Sequence, residues 1–181
     1  MNRAPTLETP RLILRPWRDA DIEAWAAMNA DPRVMEFFPS LYDRARSEAT
    51  ASAMRAGLER NGYGWWVTEL KRTSRFAGVV VLDDVSFEAP FAPARQVGWR
   101  FLRDAWGSGY ATEGARAALT YAFETLGWDE VVALTATVNL RSQRVMQRLG
   151  MRRDPAGDFL HPAIAEGHRL RPHVLYRIRK S

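Results

Sequence analysis

The segment Trp106-Gly107-Ser108-Gly109-Tyr110-Ala111-Thr112 combines residue types that can do chemistry through backbone position alone. Two glycines one residue apart let the chain turn tightly and let a ligand approach the main chain. A helix starting just after them offers N–H groups without internal partners, together with the positive end of its dipole. Such a terminus binds phosphate. A bare Gly-x-Gly also serves plain tight turns, so the neighbouring residues must decide. Thr112 stands where the dinucleotide pattern G-x-G-x-x-G has its third glycine. No Gly-Lys-Ser/Thr ending of a P-loop follows either. The turn therefore reads as a pyrophosphate site of another type.

Side chains able to move protons are few. There is no cysteine, which excludes disulfides, thiol nucleophiles and cysteine-bound zinc. The three histidines, His161, His168 and His173, all lie near the C-terminus. His161, in Phe159-Leu160-His161-Pro162, has the ordinary near-neutral pKa that suits a base, or it is an exposed loop histidine. Ser142 is a hydroxyl donor or a helix cap. Asp83, Asp84, Glu88 and Glu36 are the other candidate proton acceptors. Arg141, Arg144 and Arg148 fall near one helix face, as phosphate contacts or as a solvated stripe.

The elements that must position these groups follow from periodicity. Leu12–Leu14 reads as a strand, and Asp19 or Asp21 can cap a helix running to Met28. Arg44–Arg60 reads as a second helix. Trp65–Leu70 and Phe76–Leu82 read as a hairpin, and Gln96–Leu102 as the next strand. Ala111–Leu126 carries apolar residues at helical spacing, with Gly127 just past its end. Glu130–Val138 is a buried strand, Ser142–Leu149 a short helix, Asp154–Arg171 a polar loop and His173–Ile178 the last strand. One more strand near Met151 or Phe159 would complete the order. Successive early strands imply antiparallel pairing, and the long helix between Leu102 and Val131 implies one parallel crossover. The expected class is α+β, with residues 1–181 forming a single domain.

The chain has 46% hydrophobic and 26% charged residues, which argues against disorder. Residues 141–181 hold ten basic and three acidic side chains, a net of +7. The preceding 140 residues therefore carry −2 of the overall +5. A basic C-terminal part suits an anionic ligand or a solvated surface. It comes without helix-turn-helix, RNP-like or zinc motifs, so nucleic-acid binding is not expected. Met1–Pro10 lacks the apolar core of a signal peptide, and no apolar run reaches membrane length, which together point to the cytoplasm and to no membrane partner.

The stretch Val97–Glu113 resembles the GNAT acetyltransferases. Their signature, Gln/Arg-x-x-Gly-x-Gly/Ala after the fourth strand, matches Trp106–Ala111, with Trp106 departing at the first place. Trp-Gly-x-Gly-Tyr-Ala-Thr-Glu is similar to the RimJ/RimL-type ribosomal-protein N-terminal acetyltransferases. Asn139-Leu-Arg-Ser142, Arg148-Leu-Gly-Met151 and Asp31-Pro-Arg-Val-Met35 extend the likeness over nearly the whole chain.

The resemblance implies a mixed, mostly antiparallel sheet of six to seven strands flanked by about four helices, splayed between the fourth and fifth strands. It implies acetyl-CoA as co-substrate, no metal, and direct attack by a primary amine, either a protein N-terminus or a small molecule. Phe101, Leu102 and Arg103 would meet pantetheine through the backbone. Gly107, Ser108, Gly109, Tyr110, Ala111 and Thr112 would cradle the pyrophosphate. Asn139 would hold the pantetheine amide, and Ser142 would sit by the sulfur as thiolate proton donor. Many relatives carry a Glu base where Gln96 stands, which leaves His161, a carboxylate or a water relay for that role. Gln96 is also the one feature that favours a CoA-binding sensor or scaffold without turnover. Homodimers are common in the family.

Overall fold

The computed structural model describes residues 5–180; Met1–Ala4 and Ser181 of the single-domain reading lie outside them. One sheet runs through the molecule in the order β1-β2-β3-β4-β5-β6-β9-β7, with β8 also on β9. Its strands are β1 (Leu7–Glu8), β2 (Leu12–Arg15), β3 (Trp65–Leu70), β4 (Arg75–Asp84), β5 (Arg95–Phe101), β6 (Glu130–Ala136), β7 (Arg152–Arg153), β8 (Phe159–Leu160) and β9 (Pro172–Arg179). The sheet thus has nine strands among the described residues, where six or seven were expected. The difference lies in β1, β7 and β8, each two residues long and too short to leave a periodic signal. Arg152–Arg153 and Phe159–Leu160 both pair with β9, so one strand directly precedes the expected polar loop and another lies inside it.

Four helices flank the sheet: α1 (Asp21–Ala30), α2 (Arg44–Asn61), α3 (Tyr110–Glu124) and α4 (Leu140–Arg148). Asp43 caps α2 by accepting from the Arg46 N–H at 2.7 Å. Neither Asp19 nor Asp21 caps α1, whose N-cap is Ala20 without a side-chain bond. Asp21 instead closes a buried ionic cluster, in which Arg15 donates to Asp21 at 2.8 Å and to Glu69 at 2.6 Å. The N-cap of α4 is Asn139 rather than Ser142.

The main apolar cluster extends from Leu12 on β2 to Tyr176 on β9 and includes Ala115, Ala118 and Ala122 of α3. β4 is buried from Phe76 to Leu82, so it reads as a continuous apolar run rather than an alternating one. The detail that matters for function lies between β5 and β6. They run parallel, yet their register holds one pair only, Gln96 with Val132. Beyond that pair the two strands part, and the opening faces the turn that leads into α3.

A candidate acyl-carrier site in the splayed sheet

The ladder on the other edge of β5 shows which main-chain groups face this opening. Leu102 N–H donates to Ala77 O at 2.9 Å, and Val85 N–H to Ala94 O at 2.8 Å. In an antiparallel pair such bonds fall on alternate residues. Even-numbered residues of β5 therefore bond to β4, and Trp99 and Phe101 direct their N–H and C=O groups into the gap. Leu102 spends its N–H on β4 and has none to offer there. Trp99 was absent from the expected contacts because the phase of strand alternation cannot be read without the partner strand. The Phe101 carbonyl already accepts from Trp106 Nε1 at 3.0 Å, which closes the turn onto the strand end. Exposed Arg103 lies in the following 3-10 turn, where its carbonyl accepts from Trp106 N–H at 3.2 Å.

The turn needs its glycines for backbone reasons. Gly107 has φ 75° and Gly109 φ 81°, the left-handed region that side-chain-bearing residues avoid. A Cβ at Gly107 would meet nothing within 4 Å, so conformation rather than crowding selects glycine there. Gly109 is the N-cap of α3 and offers no side-chain cap. The first intrahelical bond runs from Glu113 N–H to Gly109 O at 3.0 Å. The N–H groups of Tyr110, Ala111 and Thr112 thus have no helical acceptor. Arg11 braces the turn from β2's side: its guanidinium donates to Ser108 O at 2.9 Å, pairs with Glu113 at 2.6 Å and lies over the Tyr110 ring at 4.8 Å. Burial alone would raise the Glu113 pKa, but bonds from the Thr9 hydroxyl and from the Arg11 N–H and guanidinium outweigh it and hold it low. A cleft of about 930 Å³ continues from Gly109 and Thr112 along the outer side of α3, with Arg11, Arg116 and Arg148 on its walls.

The far wall of the gap is β6 and the start of α4. The Asn139 side chain is held there: Oδ1 accepts from Ser142 N–H at 3.2 Å, and Nδ2 donates to Thr135 Oγ1 at 2.9 Å and to Ser142 Oγ at 3.1 Å. Its amide therefore orients Ser142. Because Ser142 Oγ accepts, the hydroxyl hydrogen is left to donate elsewhere, and among the described residues it has no acceptor. Arg141 lies 4.4 Å over the Trp106 ring and pairs with Glu36 at 2.7 Å, so it ties α4 to the turn and to the α1–α2 connection. Arg148 offers its carbonyl to Arg116 at 2.9 Å.

Two segments meet at the opposite face. Phe87 of the β4–β5 connection lies 5.7 Å from Phe159 and 4.7 Å from His161, and Phe91 meets Phe159 edge-on at 5.2 Å. His161 in turn lies 4.9 Å from His173. Burial lowers the pKa of both histidines; for His173, His161 adds to the lowering and a bond with Arg171 O opposes it. His168 is exposed and stands apart from this group. Of the candidate carboxylates, Asp83 is half-buried, and burial raises its pKa against bonds from Asp84 N–H and Trp65 Nε1. Asp83 pairs with Gln96, at the closed end of the splay. Asp84 bonds the Tyr63 hydroxyl, and Glu36 is held by Arg141. Beneath the α1–α2 connection, Arg100 is a buried cation that donates to Asn29 and lies 4.0 Å over Phe38. Burial lowers its pKa to about 10, which leaves it charged at neutrality.

A family profile described as an acetyltransferase (GNAT) domain matches residues 11–152. The chain belongs to the GNAT acetyltransferases. It is 37% identical over 155 residues to the FsC-acetyl coenzyme A-N(2)-transacetylase of Aspergillus fumigatus, covering 81% of this chain and 65% of that protein. An Agrobacterium tumefaciens acetyltransferase of known structure is 28% identical, with a TM-score of 0.77 over 97% of this chain and 95% of its own. Mycobacterium smegmatis RimJ, solved with CoA-disulfide, shares the fold at 21% identity and a TM-score of 0.76, covering 97% of this chain and 88% of its own. This GNAT chain is an acyl-CoA-dependent N-acetyltransferase. Among the described residues, no helix is long and apolar enough to cross a membrane.

Proposed function

We propose that this acetyltransferase moves acetyl from acetyl-CoA to a primary amine by direct attack in a ternary complex. The observation that carries the reading is the opening beyond the Gln96–Val132 pair, with Trp99 and Phe101 facing it beside the free N–H groups of α3. These donors fit the parts of acetyl-CoA in order. Tyr110, Ala111 and Thr112 N–H groups suit the pyrophosphate, with Gly107, Ser108 and Gly109 shaping the turn. Trp99 and Phe101 extend the β-ladder to the pantetheine amides, with Arg103 next in line. Arg11, Arg116 and Arg148 suit the remaining phosphate. The co-substrate supplies the activated acyl group.

The chain's own groups supply the rest. A gap-facing N–H of β5 donates to the thioester oxygen as negative charge develops, and one such donor is worth roughly 3 kcal/mol of barrier. Ser142 Oγ, with its hydrogen free, donates to the departing sulfur, and Asn139 fixes its rotamer. The amine enters from the face lined by Phe87, Phe91 and Phe159, and its proton leaves to the histidine pair His161 and His173. An aromatic mouth of this kind suits an amine carried on an apolar body, such as the N-terminus of a peptide or a small apolar amine.

Thiol release from acetyl-CoA, measured against N-terminal peptides and small amines side by side, tests the reading. Amine-dependent release, with acetyl recovered on nitrogen by mass spectrometry, is expected. Release that never depends on an amine overturns it.

A further inference from the structure

The two histidines at the mouth are not equivalent, and their hydrogen bonds show how. His173 opens β9 opposite Ala136 of β6 and Phe159 of β8. Val174 and Tyr176 turn into the main core, with the Tyr176 hydroxyl reaching Gln143 of α4 at 3.4 Å. Strand alternation therefore sends His173 to the other face, the one it shares with Ala136. Ala136 packs there with Ile164, Leu170 and Phe37. Arg141 lies over both Phe37 and the Trp106 ring, so this face adjoins the open end of the splay, where the proposed co-substrate would end.

His173 Nδ1 lies 3.1 Å from Arg171 O. A carbonyl oxygen only accepts, so Nδ1 carries the hydrogen. The lone pair of the neutral ring is then at Nε2, which no described residue hydrogen-bonds. His161 is the reverse. Its Nδ1 accepts from Ala163 N–H at 3.2 Å, so its hydrogen sits on Nε2.

We infer that His173 Nε2 is the proton acceptor for the attacking amine, and that His161 positions it; this rests on the transferase reading above. His161 is the titratable group acting on His173 among the described residues, and its β6 and β8 neighbours, Ala136 and Phe159, are uncharged. In the step itself the amine lone pair forms the C–N bond at the thioester carbon. The nitrogen loses its proton to Nε2, the C–S bond breaks, and the sulfur takes a proton from the Ser142 hydroxyl. Water carries the Nε2 proton back to Ser142, so the products are the amide and free CoA thiol. Asp83 is the poorer acceptor, because it lies opposite Gln96 at the closed end of the splay.

Two measurements test the inference. With only three histidines, long-range proton–nitrogen NMR of the whole chain resolves each tautomer without turnover. At pH 8 or about one unit above, where histidine is neutral, His173 is expected with hydrogen on Nδ1 and His161 with hydrogen on Nε2. Hydrogen on His173 Nε2 overturns the proposal. In the second measurement, His173→Asn keeps a donor for Arg171 O and removes the base. It is expected to lower kcat/KM for the amine about 100-fold, the usual loss for a general base. It should also abolish the rising limb of the pH–rate profile, which lies below about pH 6.5, while acetyl-CoA Kd stays within about twofold of wild type. His161→Ala should keep the limb. A limb that survives in His173→Asn, or that disappears in His161→Ala or Asp83→Asn instead, overturns the assignment. If wild type transfers to no amine, the transferase reading and this role fall together, whatever the tautomers.

Discussion

Replacing Gly109 separates two effects that coincide at the turn proposed to bind the pyrophosphate. Gly109→Ala adds a Cβ whose nearest contact is Arg11 at 3.5 Å, an ordinary van der Waals distance, so space is not the obstacle. The cost is conformational. Holding a side-chain-bearing residue at φ 81° takes about 1 kcal/mol, with or without ligand. For a chain of this length that lowers Tm by about 3 °C. Gly109→Glu adds the same backbone cost and a carboxylate beside the N–H groups of Tyr110, Ala111 and Thr112. A unit charge about 5 Å from a phosphate, at an effective dielectric of about 20, is repelled by about 3 kcal/mol. That corresponds to more than 100-fold in Kd. Calorimetric CoA titration of the two variants, alongside thermal melts, reads both quantities. The expected result is similar Tm loss in both variants and a large affinity loss in Gly109→Glu alone. A folded Gly109→Glu variant that binds CoA as Gly109→Ala does refutes the pyrophosphate assignment.

Ser142→Ala is expected to lower kcat about 100-fold, as loss of a proton donor does, with acetyl-CoA KM little changed. Because Asn139 caps α4, its stability loss should stay near 1 kcal/mol by denaturant titration, the value of one hydrogen bond. Glu113 ties the turn between β1 and β2 to α3, and its folded pKa lies below the unfolded value. Its contribution is therefore complete above the unfolded pKa of about 4.3 and is lost as pH falls through the lower folded value. Glu113→Gln should flatten the stability–pH curve over that acid range, as melts at stepped pH would show. Asp21→Asn strips one partner from buried Arg15, which Glu69 still holds. A loss of about 3 kcal/mol and a Tm fall of about 10 °C are expected by calorimetry.

The parts of this architecture that were legible in the sequence are those written locally. The turn at Gly107 and Gly109 and the start of α3 depend on backbone conformation and a helix terminus, so a few adjacent residues specify them. Helices α2 and α3 and the long strands β3 to β6 announced themselves through periodicity and caps. What escaped is set by partners far along the chain. β1, β7 and β8 exist because β2 and β9 pair with them. The bonds that Asn139 makes to Thr135 and Ser142, which fix the Ser142 side chain, come from the meeting of β6 with α4. His173 read as part of a strand; its chemistry comes from Arg171 O and from His161, brought together only when β8 lies on β9. Arg15 and Arg100 could not be placed as buried cations, since Asp21 of α1, Glu69 of β3 and the aromatic residues around Arg100 reach them only in the folded chain. Charge counts likewise missed that Arg141, Arg153, Arg177 and Arg179 of the basic C-terminal part are ion-paired, Arg177 with Glu130 and Asp154 at 2.6 Å.

A crystal structure of the chain with CoA tests most directly whether acetyl-CoA lies in the splay between β5 and β6, with its pyrophosphate on the α3 terminus. The predicted result has phosphate oxygens within hydrogen-bonding distance of Tyr110, Ala111 and Thr112 N–H groups, pantetheine on Trp99 and Phe101, and sulfur beside Ser142 Oγ. CoA lying wholly in the cleft lined by Arg11, Arg116 and Arg148, with the gap between β5 and β6 unchanged, would contradict it.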